Sequence, residues 1–365
     1  MKNRIYLDYA ATTAKEVGNP SSIHQEGVKA KKKLETARRK TAAFFGARPE
    51  EIIFTSGGTE SNNLAIFGAI GAGGHAITTA IEHSSILECF RELEKRGVKV
   101  DYLPVNGEGI LELKTLEKAL RPNTALVSVG YANSEIGAVQ PIREISKILS
   151  DSVIFHTDAS QALLYLNCEK ETLGADLITV DSHKIYGPFG VGTLFIRRGV
   201  NLKSLMFGGG QENGLRPSTE NLPAIIGLAE ALKLAKKNRE KESKRLVSLR
   251  DFFITEIEKE IPEAILNGNR QVRLPNNINF SFPNVEAEFL ALRLDAAGIA
   301  VATKSACLKN ERESYVIKAL GGDSRRATSA IRFSLGKDTK KSDLEYTIRI
   351  LRKLLKNLTM LCVLS

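Results

Sequence analysis

Short apolar, β-branched runs alternate with stretches of helical periodicity from about residue 50 to 200. That alternation predicts an α/β domain built on a mostly parallel, mixed sheet. Strands are expected at Glu51 to Thr55, His75 to Ala80, Val98 to Val105, Thr124 to Ala132, Val153 to Ala159, Ala175 to Asp181 and Gly190 to Arg198. Helices are expected between them, at Thr59 to Ala69, Ser84 to Arg96, Thr115 to Leu120 and Pro141 to Leu149. The texture then changes. Asn221 to Ile261 reads as one long charged helix, after which Asn276 to Phe282, Ile299 to Ala302 and Ala330 to Leu335 alternate like strands beside helices at Glu286 to Ala297 and Lys341 to Leu358. The pattern predicts a large domain over 11–240 and a smaller α+β domain over 241–365 that also takes 1–10, with the long helix as hinge.

Composition removes several classes. With 365 residues, 42% hydrophobic and 26% charged, the chain is an ordinary globular protein rather than a disordered or fibrous one. Cys89, Cys168, Cys307 and Cys362 lie far apart with no Cys-x-x-Cys pair, which argues against a metal site or a disulfide framework and for a reducing cytosol. No run of about 18 apolar residues is present, so no membrane span is expected. Met1 to Arg4 leads at once into a strand-like stretch without the apolar segment of a signal peptide. The final Cys362-Val363-Leu364-Ser365 spells a prenylation box, read here as the apolar end of an amphipathic helix because no polybasic run precedes it. The formal charge is +10, but Lys29, Lys31, Lys32, Lys33, Arg38 and Arg39 share a helix with Glu26 and Glu35 and lack interleaved aromatics. They read as a solvated face, not a nucleic-acid surface.

Candidate chemistry gathers at strand ends. In Thr55-Ser56-Gly57-Gly58-Thr59-Glu60 two glycines join a strand to a helix N-terminus, where free N–H groups and the helix dipole favour a phosphate; a plain capped turn by Thr59 is the other reading. Asp158 closes an apolar strand at its carboxyl end, where open α/β sheets bind ligands, and suits either a ligand nitrogen that becomes positive or a local turn cap. The next strand delivers Asp181-Ser182-His183-Lys184, with a lysine placed for an imine, although most lysines are surface charges. A phosphate seat, an acid for a pyridinium and a lysine for an imine, in that order, are what a pyridoxal phosphate enzyme requires. Cys307 lies in a polar stretch between Lys304 and Lys309, whose charges favour its thiolate.

These residues, with Tyr6 to Thr13, Gly18 to Ser22, Glu82-His83, Glu135-Ile136-Gly137, Asp158 to Gln161, His183 to Pro188, Gly208 to Glu212, Ser305-Ala306-Cys307 and Ile331 to Gly336, carry a resemblance over nearly the whole chain. The sequence resembles the cysteine desulfurases, pyridoxal 5'-phosphate enzymes of fold type I in the class-V aminotransferase group. The resemblance implies the fold-type-I transferase architecture and removal of sulfur from L-cysteine, leaving L-alanine and a persulfide on Cys307. It implies Lys184 as the lysine that carries the cofactor aldehyde, His83 stacked on its ring, Asp158 at its ring nitrogen and Gln161 at its phenolic oxygen. Gly58, Thr59 and His183 would hold the phosphate, joined by Thr219 from the second subunit of a homodimer. Arg332 would clamp the substrate carboxylate, with Asn133 and Ser134 beside it. Sulfur acceptors of this family are iron–sulfur scaffold proteins or thiolation enzymes. A selenocysteine lyase, an aminotransferase, or a non-catalytic binding relative are the alternatives.

Five departures from the family pattern carry expectations of their own. Ser134 stands for an asparagine, which shortens its reach to the cofactor and substrate. Asp181 stands for a serine, and a carboxylate beside a phosphate repels it unless protonated or turned away; Ser182 is the substitute donor. Lys304 replaces a glycine, stiffening the cysteine loop. Only Ala14 to Val17 separate Thr13 from Gly18, opening the site entrance, and the chain ends before the segment relatives use to dock a scaffold.

Overall fold

A computed structural model of the chain describes residues 4–71, 73–303 and 313–363, the side chains of 357–363 excepted. The segment holding Lys304 and Cys307 and the side chain of Cys362 therefore lie outside the described residues. Strands β1 (Ile52–Thr55), β2 (His75–Thr79), β3 (Lys99–Leu103), β4 (Thr124–Ser128), β5 (Ile154–Asp158), β6 (Leu177–Asp181) and β7 (Gly192–Ile196) form one sheet in the order β1-β7-β6-β5-β4-β2-β3. From β3 to β6 the neighbours run parallel, while β7 lies antiparallel to both β1 and β6. Helices cover the sheet, so β1, β2 and β7 are buried along their whole length and read as near-continuous apolar runs.

Helices precede and connect these strands. The first, α1 (Gln25–Phe45), accepts its cap from His24, whose Nδ1 takes the Gly27 N–H at 3.3 Å, and ends at Gly46 with φ 64°. Helix α2 (Gly58–Ala69) follows β1, and α3 (Ser84–Lys95) follows β2. Shorter helices α4 (Leu113–Ala119), α5 (Ile142–Ile148) and α6 (Lys170–Leu173) complete this layer.

Helix α7 (Leu222–Glu260) runs unbroken from one sheet to the next, as the long charged stretch predicted. Its first half buries Ile225, Leu228 and Leu232; its second buries Leu246, Phe253 and Ile257, with the Phe253 ring edge-on to Phe333 at 5.1 Å. Between them, residues 236–245 are largely exposed, and the expected boundary at 240 falls inside this stretch. Strands β8 (Ile265–Leu266), β9 (Asn277–Ser281) and β10 (Ala330–Ser334) form a second, antiparallel sheet. Packed with it are α8 (Ala287–Asp295), α9 (Tyr315–Ala319), α10 (Ser324–Thr328) and α11 (Lys341–Val363).

One expectation needs correcting. Ile299 to Ala302 forms no strand; among the described residues it meets β10 through one bridge, Ala302 to Arg332. Residues 4–10 reach the start of α1. Arg4 pairs with Glu26 at 3.0 Å, and Asp8 accepts from Ser22 Oγ at 3.0 Å, so ion pairing draws the segment to α1. Among the described residues, no helix is long and apolar enough to cross a membrane.

Candidate active site

The carboxyl ends of β5 and β6, the β1–α2 and β2–α3 turns and Arg332 and Ser334 of β10 help enclose a cavity of about 520 Å³. Gly58, Thr59, His83, Asn133, Ser134, Asp158, Gln161, His183, Lys184 and Arg332 all line it, although they come from six separate stretches of chain. The strand termini converge because parallel strands share a direction. Two residues assigned from sequence lie elsewhere. Ser182 is fully buried, facing Gly187, because it opens the 3-10 turn Ser182–Ile185 that follows β6, whereas Asp181 at the strand end takes the cavity side. Thr219 is exposed and does not line the cavity of its own chain.

At the floor, both Asp158 oxygens are held. Oδ1 accepts the Ser160 N–H at 2.9 Å and Oδ2 accepts from Asn62 Nδ2 at 2.9 Å. Asn62 also donates to Ser85 Oγ at 2.9 Å, which turns the Ser85 hydroxyl proton toward His83 Nδ1, 2.8 Å away. The Ser85 N–H points at the same nitrogen, 3.2 Å away, so Nδ1 is unprotonated and the neutral ring carries its proton on Nε2. Burial holds the His83 pKa below its ordinary value despite Asp158, and Lys184 pushes in the same direction as burial. The order of residues alone assigned neither Asn62 nor Ser85 to the ring end of the site. Asn62 interrupts an otherwise apolar stripe, Ala65, Ile66 and Ala69, and that interruption was the available signal.

The wall toward the second sheet is a set of backbone clamps. Asn133 Oδ1 accepts from the N–H groups of Glu135 (2.9 Å) and Ile136 (3.0 Å), and its Nδ2 donates to Ile81 O at 2.7 Å. Asn133 thus shapes the loop that carries Ser134. Arg332 Nη1 donates to Ser134 O at 3.1 Å, while its buried Nε has no partner among the described residues. Burial lowers the Arg332 pKa, and nearby Glu135 acts against it. Beside His83, the Glu82 carboxylate is buried, accepting from Thr79 Oγ1 at 2.6 Å and Gly130 N at 3.0 Å; burial pushes its pKa up to about 7.

The phosphate end differs from expectation. Asp181 is not turned away: Oδ2 accepts the Gly58 N–H at 2.9 Å, and Oδ1 lies 2.6 Å from His183 Nδ1. Gly57, the residue before α2, has φ +154°, which a side chain disfavours, and supplies no cap of its own. The cap comes instead from β6.

A family model described as aminotransferase class-V matches residues 5–347. The chain belongs to the class-V aminotransferase family. This class-V aminotransferase is 47% identical to the cysteine desulfurase IscS of Dictyoglomus turgidum, over 98% of this chain and 96% of that protein. It is 41% identical to the cysteine desulfurase of Homo sapiens, over 94% of this chain and 80% of the relative. Among solved structures, a NifS-like protein superposes with a TM-score of 0.88 at 34% identity, covering 94% of this chain and 93% of that one. Another, described as SspA in complex with cysteine, gives 0.74 at 33% identity over 88% and 92% of the two chains. The fold is the type I fold of pyridoxal phosphate enzymes.

The ring end of the cavity fits that cofactor. Asp158 is fixed by two donors where a cationic ring nitrogen needs an anion, and Asn62 Oδ1 is buried there without a partner among the described residues. The phosphate end fits once Asp181 leaves the Gly58 N–H.

Proposed function

We propose that this class-V aminotransferase is a cysteine desulfurase that removes sulfur from L-cysteine, releases L-alanine and holds the sulfur as a persulfide on Cys307. One observation carries the reading: Lys184, Asp158, His83 and Arg332 open onto a single cavity in a chain 47% identical to a named desulfurase. Pyridoxal 5'-phosphate, when bound, supplies an electron sink that acidifies the Cα proton of an amino acid. Lys184 would hold the cofactor and its amine would then move that proton. Asp158 would balance the ring charge, Gln161 would meet the phenolic oxygen, and Gly58, Thr59 and His183 would hold the phosphate.

Arg332 orients the substrate carboxylate with the donors that Ser134 O leaves open, and Ser134 lines that subsite. His83 presents Nε2–H as the group that exchanges protons at the reacting centre. The Cys307 thiolate attacks the substrate sulfur: an S–S bond forms, the C–S bond breaks, and its electron pair stays with the carbon fragment, which takes a proton and leaves as alanine. Ala302 paired to Arg332 and the cavity-lining Tyr315 place the described flanks of the Cys307 segment beside the site. We further infer a homodimer in which Thr219 serves the partner's cavity, and transfer of sulfur to iron–sulfur scaffold or thiolation proteins. Residues 11–240 serve as the cofactor-binding domain in this reading and 241–365 as the small domain.

The test is alanine and sulfide release from cysteine by purified protein supplied with the cofactor. Cys307→Ala should keep the bound chromophore and release no sulfide under reductant, and Lys184→Ala should be colourless with no mass fixed by borohydride. Sulfide release undiminished in Cys307→Ala would reassign the chain to lyase chemistry without a persulfide.

A further inference from the structure

The seat at the start of α2 is already filled by an anion belonging to the chain. Asp181 Oδ2 takes the Gly58 N–H, and the other oxygen engages both the His183 ring at 2.6 Å and the His183 N–H at 3.3 Å. Three donors that face a phosphate are thereby committed to one carboxylate. The space is tight: a methyl group placed on Gly58 would stand 3.2 Å from Asp181 Oδ2 and 3.4 Å from Ser160 Oγ. Ser160 is 8% exposed, and its hydroxyl, aimed at this seat, has no partner among the described residues. The donors therefore form an anion site with capacity to spare, whose resident is Asp181.

We propose that Asp181 competes with the cofactor phosphate for this seat, so that the chain grips its cofactor chiefly through the ring and Lys184. The proposal rests on the desulfurase reading for the identity of the cofactor. Phosphate and carboxylate cannot both occupy the Gly58 N–H, and two anions held a few ångströms apart in a half-buried site repel. Cofactor binding must then expel Asp181 from its cap, and the phosphate contributes less to affinity than the donor set alone would provide. Asp181 acts here as a determinant of cofactor discrimination. It favours neither aldehyde chemistry nor substrate binding directly.

The experiment compares the wild-type full chain, stripped of cofactor, with Asp181→Asn and Asp181→Ser. Each is titrated with pyridoxal 5'-phosphate and with unphosphorylated pyridoxal, followed by absorbance and by borohydride-fixed mass at Lys184. Asparagine keeps an oxygen for the Gly58 N–H but not the charge. Both variants should bind pyridoxal phosphate about tenfold or more tightly than wild type, with pyridoxal affinity changed less than about twofold. In a second arm, inorganic phosphate should raise the melting temperature of the stripped variants and leave the wild type unmoved. An unchanged phosphate-to-pyridoxal ratio, or equal loss for both ligands, overturns the proposal and makes Asp181 a structural cap only. Failure of either aldehyde to label Lys184 would sink the functional reading instead, and the inorganic phosphate arm would still decide the role of Asp181.

Discussion

Glu82 shows how a residue beside the site couples its environment to pH. Its carboxyl is buried and near Asp158, so the folded state holds its proton up to about 7 while the unfolded chain releases it near the ordinary 4.5. Between those values the folded state binds more protons than the unfolded one, so stability falls as pH rises, by on the order of 3 kcal/mol across the window. Glu82→Gln keeps an acceptor for Thr79 and Gly130 and removes the titration. Denaturant unfolding at pH 5 and pH 8 should show wild type losing stability and the variant nearly flat; equal slopes would place the proton elsewhere. The same closeness explains which site residues could be read in advance. Asp158, His183 and Lys184 stand at strand ends, where an α/β sheet must place polar groups, whereas Asn62 acts 96 residues away from the carboxylate it holds.

At the scale of elements, the antiparallel strand β7 sets how closely the β1–α2 turn approaches β6. Gly192 pairs with Thr55 on one side and Asp181 on the other. A Cβ at this position would stand 2.7 Å from both Gly57 Cα and Val180 O, two backbone atoms that cannot move aside cheaply. Gly192→Ala should therefore destabilise the protein by about 2 kcal/mol or more and weaken cofactor binding, because the Gly57–Gly58 turn must shift. A denaturation midpoint within error of wild type would show that the turn accommodates the methyl. The strands and helices themselves were legible because their burial on both faces leaves apolar runs. The isolated bridge at Ala302 was not, since a β-branched stretch looks the same whether it pairs along its length or at one residue.

For the molecule as a whole, the two sheets meet at the cavity. Asn277 and Asn279 of β9 donate to backbone oxygens of Ser134 and Glu135, and Arg332 of β10 does the same, so the second sheet holds the loop that closes the first. Leu7, Ile23, Phe189 and Phe207 are more than four-fifths exposed, and Thr219 lies outside its own cavity, as the proposed homodimer requires of a residue that serves the partner. Sedimentation at micromolar concentration should find a dimer, and a monomer carrying full activity would remove Thr219 from the site. Periodicity and strand-end chemistry are local properties, carried by residues close together in the chain, so the α/β class, the long helix and the lysine–aspartate pair could be read from the order of residues. The resident of the phosphate seat could not, because whether a carboxylate repels, turns away or caps a helix depends on which backbone N–H the folding chain brings to it. Asp181 and Gly58 are 123 positions apart, and only the closing of β7 between β1 and β6 makes them neighbours.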